Sequence, residues 1–232
     1  SDILDEIRTS IMPEIISKYP TVTPLYEGQN REAKKTLTSI NIVGPVILLL
    51  IYIIIAFTFR TYSQPIVLLI MVPFSLIGIV WGHYFHGFQI NILSWLGIIA
   101  LIGIMVNDGL VLIGKFNLYL KEGMKYDAAL IEAGKSRFRA IFLTSLTTIA
   151  GLAPLLLETS RQAQFLKPMA ISISYGIGIA TVLTLVMLPL LLSVSNTIKV
   201  FIKWMFTGKD VSKEEVERAI IEMGYESDDL KN

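Results

Sequence analysis

Long apolar stretches alternate with short polar ones along most of this chain. Five apolar segments are each long enough to cross the hydrocarbon core of a bilayer, which takes about 20 helical residues. They lie near residues 40–59, 65–85, 92–116, 140–158 and 169–194. The polar stretches between them are Arg60 to Gln64, His86 to Asn91, Lys121 to Arg139 and Glu158 to Lys167. The pattern predicts an all-α integral membrane protein with five transmembrane helices over residues 39–198.

Residues 1–38 follow a different pattern. A helix that stops near Tyr19-Pro20 is predicted to have four isoleucines on one face: Ile3, Ile7, Ile11 and Ile15. A short strand is predicted from Val22 to Tyr26. One helix and one strand cannot bury a core, so we expect the last helix and strand of an extracytoplasmic α+β domain that begins upstream. A loose amphipathic lead-in is the alternative.

Basic residues are spread unevenly over the polar stretches. The stretch between spans two and three has none, whereas the next one has five: Lys121, Lys125, Lys135, Arg137 and Arg139. Since Lys and Arg are retained on the cytoplasmic side, this basic loop is predicted to be cytoplasmic. Five crossings then place residues 199–232 in the cytoplasm and residues 1–38 outside. In this tail, Ser212 and Glu215 form a capping-box pattern before an amphipathic run, which predicts a short helix, either a plain surface helix or one that binds a partner.

Composition agrees with a membrane protein and excludes several other classes. The chain is 53% hydrophobic and only 17% charged, and its net charge of +1 has no basic stripe suited to nucleic acid. Cysteine is absent, which excludes disulfides and thiolate chemistry. No phosphate loop, nucleophile elbow or zinc-protease signature occurs, so we expect neither an enzyme nor a cofactor. The chain begins at Ser1 without a signal peptide, and we expect that an upstream portion is missing.

The clearest candidate for chemistry is Asp108, which follows Asn107 near the middle of span three. A charge at that depth costs at least a few kcal/mol, so an acidic residue inside the membrane indicates a functional or structural role. Burial favours the neutral carboxyl, while a nearby cation or water favours the charged one. One such side chain can therefore load and release a proton. The alternative is a structural Asp that only bonds between helices.

Three other polar patterns lie in or beside the spans. Span four has a stripe of Thr144, Thr147, Thr148 and Gly151, which could hydrate or bond Asp108 or serve only as a packing surface. Span five has a small-residue face that predicts close helix packing: Ser174, Gly178 and Thr181. His83 and His86 have a spacing that could hold a metal, but without an evident third ligand an interface role beside Trp81 and Tyr84 is favoured.

Several motifs together resemble the C-terminal transmembrane half of resistance-nodulation-division (RND) efflux pumps. The resemblance covers about residues 1–195. Its early motifs are Tyr26-Glu-Gly-Gln, Phe59-Arg60-Thr-Tyr-Ser-Gln-Pro65 and Val72-Pro73-Phe74 with Ile77-Gly78. Its more specific motifs are Gly97 through Asp108, Glu122-Gly123, Glu132-Ala133, Arg137-Phe-Arg139, Leu143-Thr144-Ser145-Leu146 and Gly151-Leu-Ala-Pro154.

The resemblance implies a proton-driven exporter of drugs or other hydrophobic compounds, lipids or metal ions in the bacterial inner membrane. This chain would supply five of the second six spans of a homotrimeric pump, after the end of a periplasmic porter-type domain. Its implied partners are membrane lipids, the N-terminal half of the same pump, a periplasmic adaptor and an outer-membrane channel. Transporters of this kind place their sites where two repeats meet.

The resemblance also assigns roles to four residues. The threonine of the family's proton relay falls on Thr144, and the arginine at the start of that span falls on Arg137. The span-three lysine of many drug pumps falls on Asn107 and its following asparagine on Asp108, so this chain departs from the pattern there. The relay set is therefore predicted as Asp108, Asn107, Thr144 and Arg137. The alternative to transport is a membrane scaffold or assembly module, and an intramembrane enzyme is a distant third.

Overall fold

The computed structural model describes residues 6–19 and 29–221 of the chain. The chain divides into two compact units, with the boundary between residues 41 and 42. The N-terminal unit contains a π-helical turn, Ile7–Ile11, followed by helix α1, Met12–Lys18. This helix ends just before Tyr19-Pro20, as the sequence predicts. The predicted strand from Val22 to Tyr26 lies outside the described residues, within which no strand occurs.

The remaining helices form the membrane part. They are α2 (Gln29–Phe59), α3 (Ser63–His86), α4 (Ile92–Lys121), α5 (Tyr126–Leu157), α6 (Arg161–Val182) and α7 (Leu188–Thr207). A π-helical segment, Leu183–Met187, joins α6 to α7 and precedes Pro189. Five segments are long and apolar enough to span a membrane: Ile42–Phe59, Ser63–His86, Ile92–Lys121, Tyr126–Leu157 and Arg161–Thr207. The predicted all-helical fold with five spans is confirmed for the described residues.

The helices extend further into polar sequence than predicted. Lys135, Arg137 and Arg139 were expected in a loop but lie in α5, which begins at Tyr126. The reason is a buried stripe at helical spacing, Tyr126, Ala129, Leu130 and Ala133, that holds this charged stretch against the bundle. Span five likewise begins at Arg161 rather than 169, and α7 carries Lys199 on helix rather than in the tail.

Helix α6 packs closely against its neighbours because glycines remove side chains at the contacts. An added Cβ at Gly82 of α3 would lie 2.6 Å from the ring of Tyr175, and at Gly97 of α4 it would lie 2.7 Å from Cβ of Ser172. Gly78 is equally crowded by Tyr175 and Ile179. Small residues at such contacts let membrane helices approach closely, which is how they associate without a hydrophobic driving force.

Burial is very unequal among the five spans. In α3 and α4, 44% of the span is buried, but the figure is 6% in α2 and 11% in α5. Most of the surface of the spans Ile42–Phe59 and Tyr126–Leu157 is thus left for lipid or for protein that the described part of the chain does not supply.

The chain after α7 folds back onto one end of the bundle. Gly208, in a left-handed conformation with φ of 64°, ends the helix. Glu217 is buried, and its carboxylate accepts hydrogen bonds from Lys199 at 3.0 Å and Asn196 at 2.8 Å. Glu214 accepts from the backbone N–H of Tyr126 at 2.8 Å. We call residues 209–221 the tail strap.

The tail strap is less helical than its sequence suggests. Ser212 accepts a hydrogen bond from the backbone N–H of Glu215 at 3.4 Å, as a capping pattern would require. Residues 213–217 nevertheless form bends and turns, and helical backbone begins only at Arg218. The contacts of Glu214 and Glu217 with α5 and α7 hold these residues in turns.

Glu217→Ala is expected to release the tail strap. The substitution leaves half-buried Lys199 and buried Asn196 without their shared acceptor. The loss costs about 2 kcal/mol or more, which shifts the equilibrium between docked and released strap toward the released form by roughly 30-fold. The measurement is the rate of tryptic cleavage after Lys209 and Lys213 in the full-length protein. Glu215→Ala, at an exposed side chain, is the control, and equal cleavage of the two variants would contradict the strap's anchoring.

Candidate proton-coupling site

Asp108 lies in the middle of α4, whose register is set by its capped first turn. The side chain of Asn91 accepts from the backbone N–H of Ser94, and the hydroxyl of Ser94 accepts from that of Asn91, both at 3.1 Å. From there α4 runs without interruption to Lys121. Asp108 therefore sits well inside a candidate span, as the sequence predicts.

The carboxyl of Asp108 is at the edge of the packed face of α4. Met105 and Leu112, one turn away on either side, are buried, and Gly109 packs directly against Leu68 of α3. Asp108 itself is half-buried. Among the described residues it has no hydrogen-bond or ion-pair partner, which is unusual for a carboxyl at this depth.

Asn107 and the threonine stripe face away from the packed core. Asn107, Thr144 and Thr147 are exposed. The hydroxyl of Thr144 donates to the carbonyl of Ala140 at 2.9 Å, and that of Thr148 donates to the carbonyl of Thr144 at 2.8 Å. These hydroxyl protons are used within α5, while the oxygens remain able to accept a further hydrogen bond.

Arg137 lies on α5 and is half-buried. Its Nε atom is buried without a hydrogen-bond partner among the described residues. A buried guanidinium N–H that lacks an acceptor is costly, so a missing acceptor is expected nearby. Helices α4 and α5 pack against each other. No hydrogen bond or ion pair within the described part of the chain joins the side chains of Asp108, Asn107, Thr144 and Arg137, although all four residues lie on two helices that pack against each other.

The small-residue face of α6 packs as predicted at two of its three positions. Ser174 and Thr181 are buried, and the hydroxyl of Thr181 donates to that of Ser145 on α5 at 2.5 Å. Gly178 has only a distant contact, with Ile149, and the close approach is made by Gly176 against Leu101 instead.

The two histidines connect α3 to α6. His83 is buried, with Nε2 3.0 Å from the hydroxyl of Ser172 and Nδ1 3.2 Å from the carbonyl of Phe88. His86 lies 3.1 Å from the hydroxyl of Tyr175. Within the described residues, no cluster of three or more metal-ligating side chains occurs. His83 is a buried link between helices, and its position at the membrane interface stays a prediction.

One polar pair was not anticipated from the sequence. Gln64 and Asn117 exchange two amide hydrogen bonds of 2.9 and 3.2 Å, joining the first turn of α3 to the last part of α4. Gln64 is buried, although the sequence placed it in a loop. The only local signal was Asn117 itself, an amide between Phe116 and Leu118 in α4.

Comparison with known proteins extends these observations. The sequence model of the AcrB/AcrD/AcrF family matches residues 6–195. The swarming motility protein SwrC of Bacillus subtilis is 30% identical over 168 residues, which is 72% of this chain and 16% of SwrC. The cobalt-zinc-cadmium resistance protein CzcA and the nickel and cobalt resistance protein CnrA, both of Cupriavidus metallidurans, are 29% and 32% identical over 164 residues. Those matches cover 71% of this chain and 15% of each relative.

The fold is also found in solved structures. A heavy metal efflux pump, in two crystal forms, superimposes with TM-scores of 0.67 and 0.63. The identities are 24% and 23%, and the matches cover 82% of this chain and 20% and 19% of the pump. This chain thus spans about a sixth to a fifth of the proteins that it matches. Its spans and the match over most of its length place it in a multi-pass membrane protein, and the chain belongs to the AcrB/AcrD/AcrF family of RND efflux transporters.

Proposed function

We propose that this chain is the C-terminal membrane portion of a proton-driven exporter, in which Asp108 takes up and releases the coupling proton. The observation that carries the proposal is a half-buried carboxyl in the middle of a span with no polar partner among the described residues. Such a carboxyl is costly to charge and has no structural bond to justify it. Reversible protonation gives it a function.

The rest of the proton path is supplied by the uncovered polar face of α4 and α5. Asn107, Thr144 and Thr147 are exposed on spans whose surroundings are apolar. Exposed amides and hydroxyls at this depth call for polar neighbours or water, because the bilayer core provides neither. The N-terminal half of the same pump covers this face and contributes acidic residues, consistent with a chain that spans about 16% of its relatives.

Arg137 stabilises the charged form of the relay. Its buried Nε needs an acceptor, and a carboxylate is the acceptor that an arginine binds most strongly. When the relay acid loses its proton, the guanidinium offsets the negative charge. Thr144 accepts and passes hydrogen bonds along the same face. These roles require a rearrangement of α5 relative to α4, which is the movement that the proton drives.

The orientation follows from charge. The end of the bundle with Lys121, Lys125 and the tail strap is cytoplasmic, and residues 1–38 end a periplasmic domain. The pump works as a homotrimer in the inner membrane with a periplasmic adaptor and an outer-membrane channel.

The cargo is a small hydrophobic compound or, as the second candidate, a metal ion. The resemblance of the sequence to RND efflux pumps favours the hydrophobic compound. The second is favoured by the relatives CzcA and CnrA, which are named as metal resistance proteins, and by the fold shared with a heavy metal efflux pump.

A transport assay on the full-length protein tests this function. Proteoliposomes with an imposed pH gradient are loaded with ethidium or with Zn²⁺ and Co²⁺, and cargo movement and internal pH are recorded together. We expect gradient-dependent movement of one cargo class with matching proton movement. Cargo movement unaffected by collapse of the gradient would contradict proton coupling, and no movement of any cargo would favour the scaffold alternative.

A further inference from the structure

Helix α5 is capped by the tail strap and not by its own N-cap residue. In the described structure, the side chain of Lys125, at the N-cap position, makes no hydrogen bond to the first turn. The backbone N–H of Tyr126 instead donates to the carboxylate of Glu214 at 2.8 Å. The first N–H groups of a helix have no partner within the helix and favour a negative charge. Glu214 therefore caps α5 from 88 positions away in the sequence.

Further contacts hold the same end of α5. Nζ of Lys213 lies 2.8 Å from the carboxylate of Asp127 and 6.0 Å from the centroid of the Tyr126 ring. That ring is buried against Phe116 of α4, and its hydroxyl donates to the carbonyl of Leu192 in α7 at 2.9 Å. The start of α5 is thus joined to α4, to α7 and to the tail strap.

The tail strap is in turn anchored on α7. The carboxylate of Glu217 accepts hydrogen bonds from Lys199 and Asn196 of this helix. Asn196 also donates to the backbone carbonyl of Lys213 at 2.9 Å. Asn196 and Glu217 are both buried, so these bonds are shielded from water. The strap therefore bridges two helices, with Glu217 on α7 and Glu214 on the start of α5.

Beyond its start, α5 is held loosely. Only 11% of this span is buried, and residues 134–140 are all half-buried or exposed. A groove of about 450 Å³ opens beside this stretch, lined by Gly134 and Phe138 of α5 and by Pro189 of α7. Arg137 lies in the same stretch, about three helical turns from the capped end. Its position therefore depends on where the start of α5 is held.

We propose that the tail strap positions α5 for proton coupling, and that Glu214 is the positioning residue. This inference rests on the transport function proposed above, in which Arg137 and Thr144 of α5 act on Asp108. The strap acts on these residues through the helix that carries them. While the strap is docked, the capped start of α5 fixes their placement beside α4. When the strap is released, α5 loses both its cap and its bridge to α7.

Hydrogen–deuterium exchange of the full-length transporter tests the bridge without requiring transport. Glu214→Ala removes the cap, so exchange in peptides covering residues 126–133 is expected to be about fivefold faster. Glu217→Ala should accelerate the same peptides, although the Glu217 side chain bonds to α7 and not to α5. Glu215→Ala, at an exposed side chain of the strap, is the matched control and should exchange like the wild type. Unchanged exchange in α6 shows that each variant is folded.

Transport kinetics separate positioning from a purely structural role. Export of ethidium or Zn²⁺ is measured in proteoliposomes under an imposed pH gradient. Glu214→Ala is expected to lower kcat by roughly two- to fivefold, since the loss cannot exceed the shift in docking. KM should stay within about twofold of the wild type, because the strap acts on the helix and not on the cargo. Glu214→Gln keeps an acceptor for the N–H of Tyr126 and should restore most of the kcat.

Two results would overturn the proposal. One is equal exchange of the α5 peptides in the wild type, Glu214→Ala and Glu217→Ala. The other is faster exchange in both variants with an unchanged kcat, which would make the strap a purely structural element. Failure of the transport function gives a different result. Faster exchange in both variants, with export that does not depend on the pH gradient, would contradict proton coupling while supporting the placement of α5 by the strap.

Discussion

Asp108→Asn in the full-length transporter is expected to reduce gradient-driven export to the level of liposomes without protein. Asparagine has nearly the shape of the neutral carboxyl but cannot take up or release a proton at physiological pH. The fold should therefore survive while the coupling is lost. The measurement is the initial rate of cargo efflux under an imposed pH gradient, with the amount of reconstituted protein matched between variants.

Two further substitutions make this result specific. Asp127→Asn removes an exposed carboxylate whose ion pair with Lys213, at 2.8 Å, is solvated and contributes little. We expect it to export like the wild type. Asp108→Glu keeps a titratable group and should retain part of the activity. Undiminished efflux in Asp108→Asn would remove this side chain from the mechanism.

Gly97→Ala is expected to loosen the packing of α4 against α6. The new Cβ would lie 2.7 Å from Cβ of Ser172 and 2.8 Å from the carbonyl oxygen of Met169. Neither of these atoms is the far end of a flexible side chain, so one helix must move. Overpacking of this kind costs about 1–3 kcal/mol. The measurement is hydrogen–deuterium exchange of peptides from α4 and α6, which should become faster.

Gly103→Ala is the matched control on the same helix. No atom lies within 4 Å of the position that its Cβ would take in the described structure, and alanine is the better helix former by about 1 kcal/mol. Exchange in α4 should be unchanged or slower. If Gly97→Ala and Gly103→Ala exchanged alike, the close contact between α4 and α6 would not be a determinant of stability.

The number and approximate place of the spans could be predicted because each depends only on a local run of apolar residues. Asp108 could be selected for the same reason, since a single acid within such a run is visible without any structure. The limits of α5 could not be predicted by this means. Lys135, Arg137 and Arg139 look like a loop until the buried stripe beginning at Tyr126 is seen to pack on the bundle.

Contacts between residues far apart in the sequence could not be predicted from the local pattern of apolar and polar residues. Gln64 and Asn117 are 53 positions apart, and His83 and Ser172 are 89 apart, so no local periodicity joins them. The tail strap is a further case, because its turns depend on Asn196, Lys199 and the backbone of Tyr126. The glycine contacts of α6 were partly visible as a small-residue face, but Gly176 rather than Gly178 makes the close approach.

We expect the Asp108 carboxyl to change its protonation state as the transporter works. Infrared difference spectroscopy of the full-length protein, with and without cargo, observes the C=O stretch of a protonated carboxyl directly. We predict a band that changes on cargo addition in the wild type, shifts with ¹³C-labelled aspartate and is missing in Asp108→Asn. An identical difference spectrum in Asp108→Asn would contradict the claim.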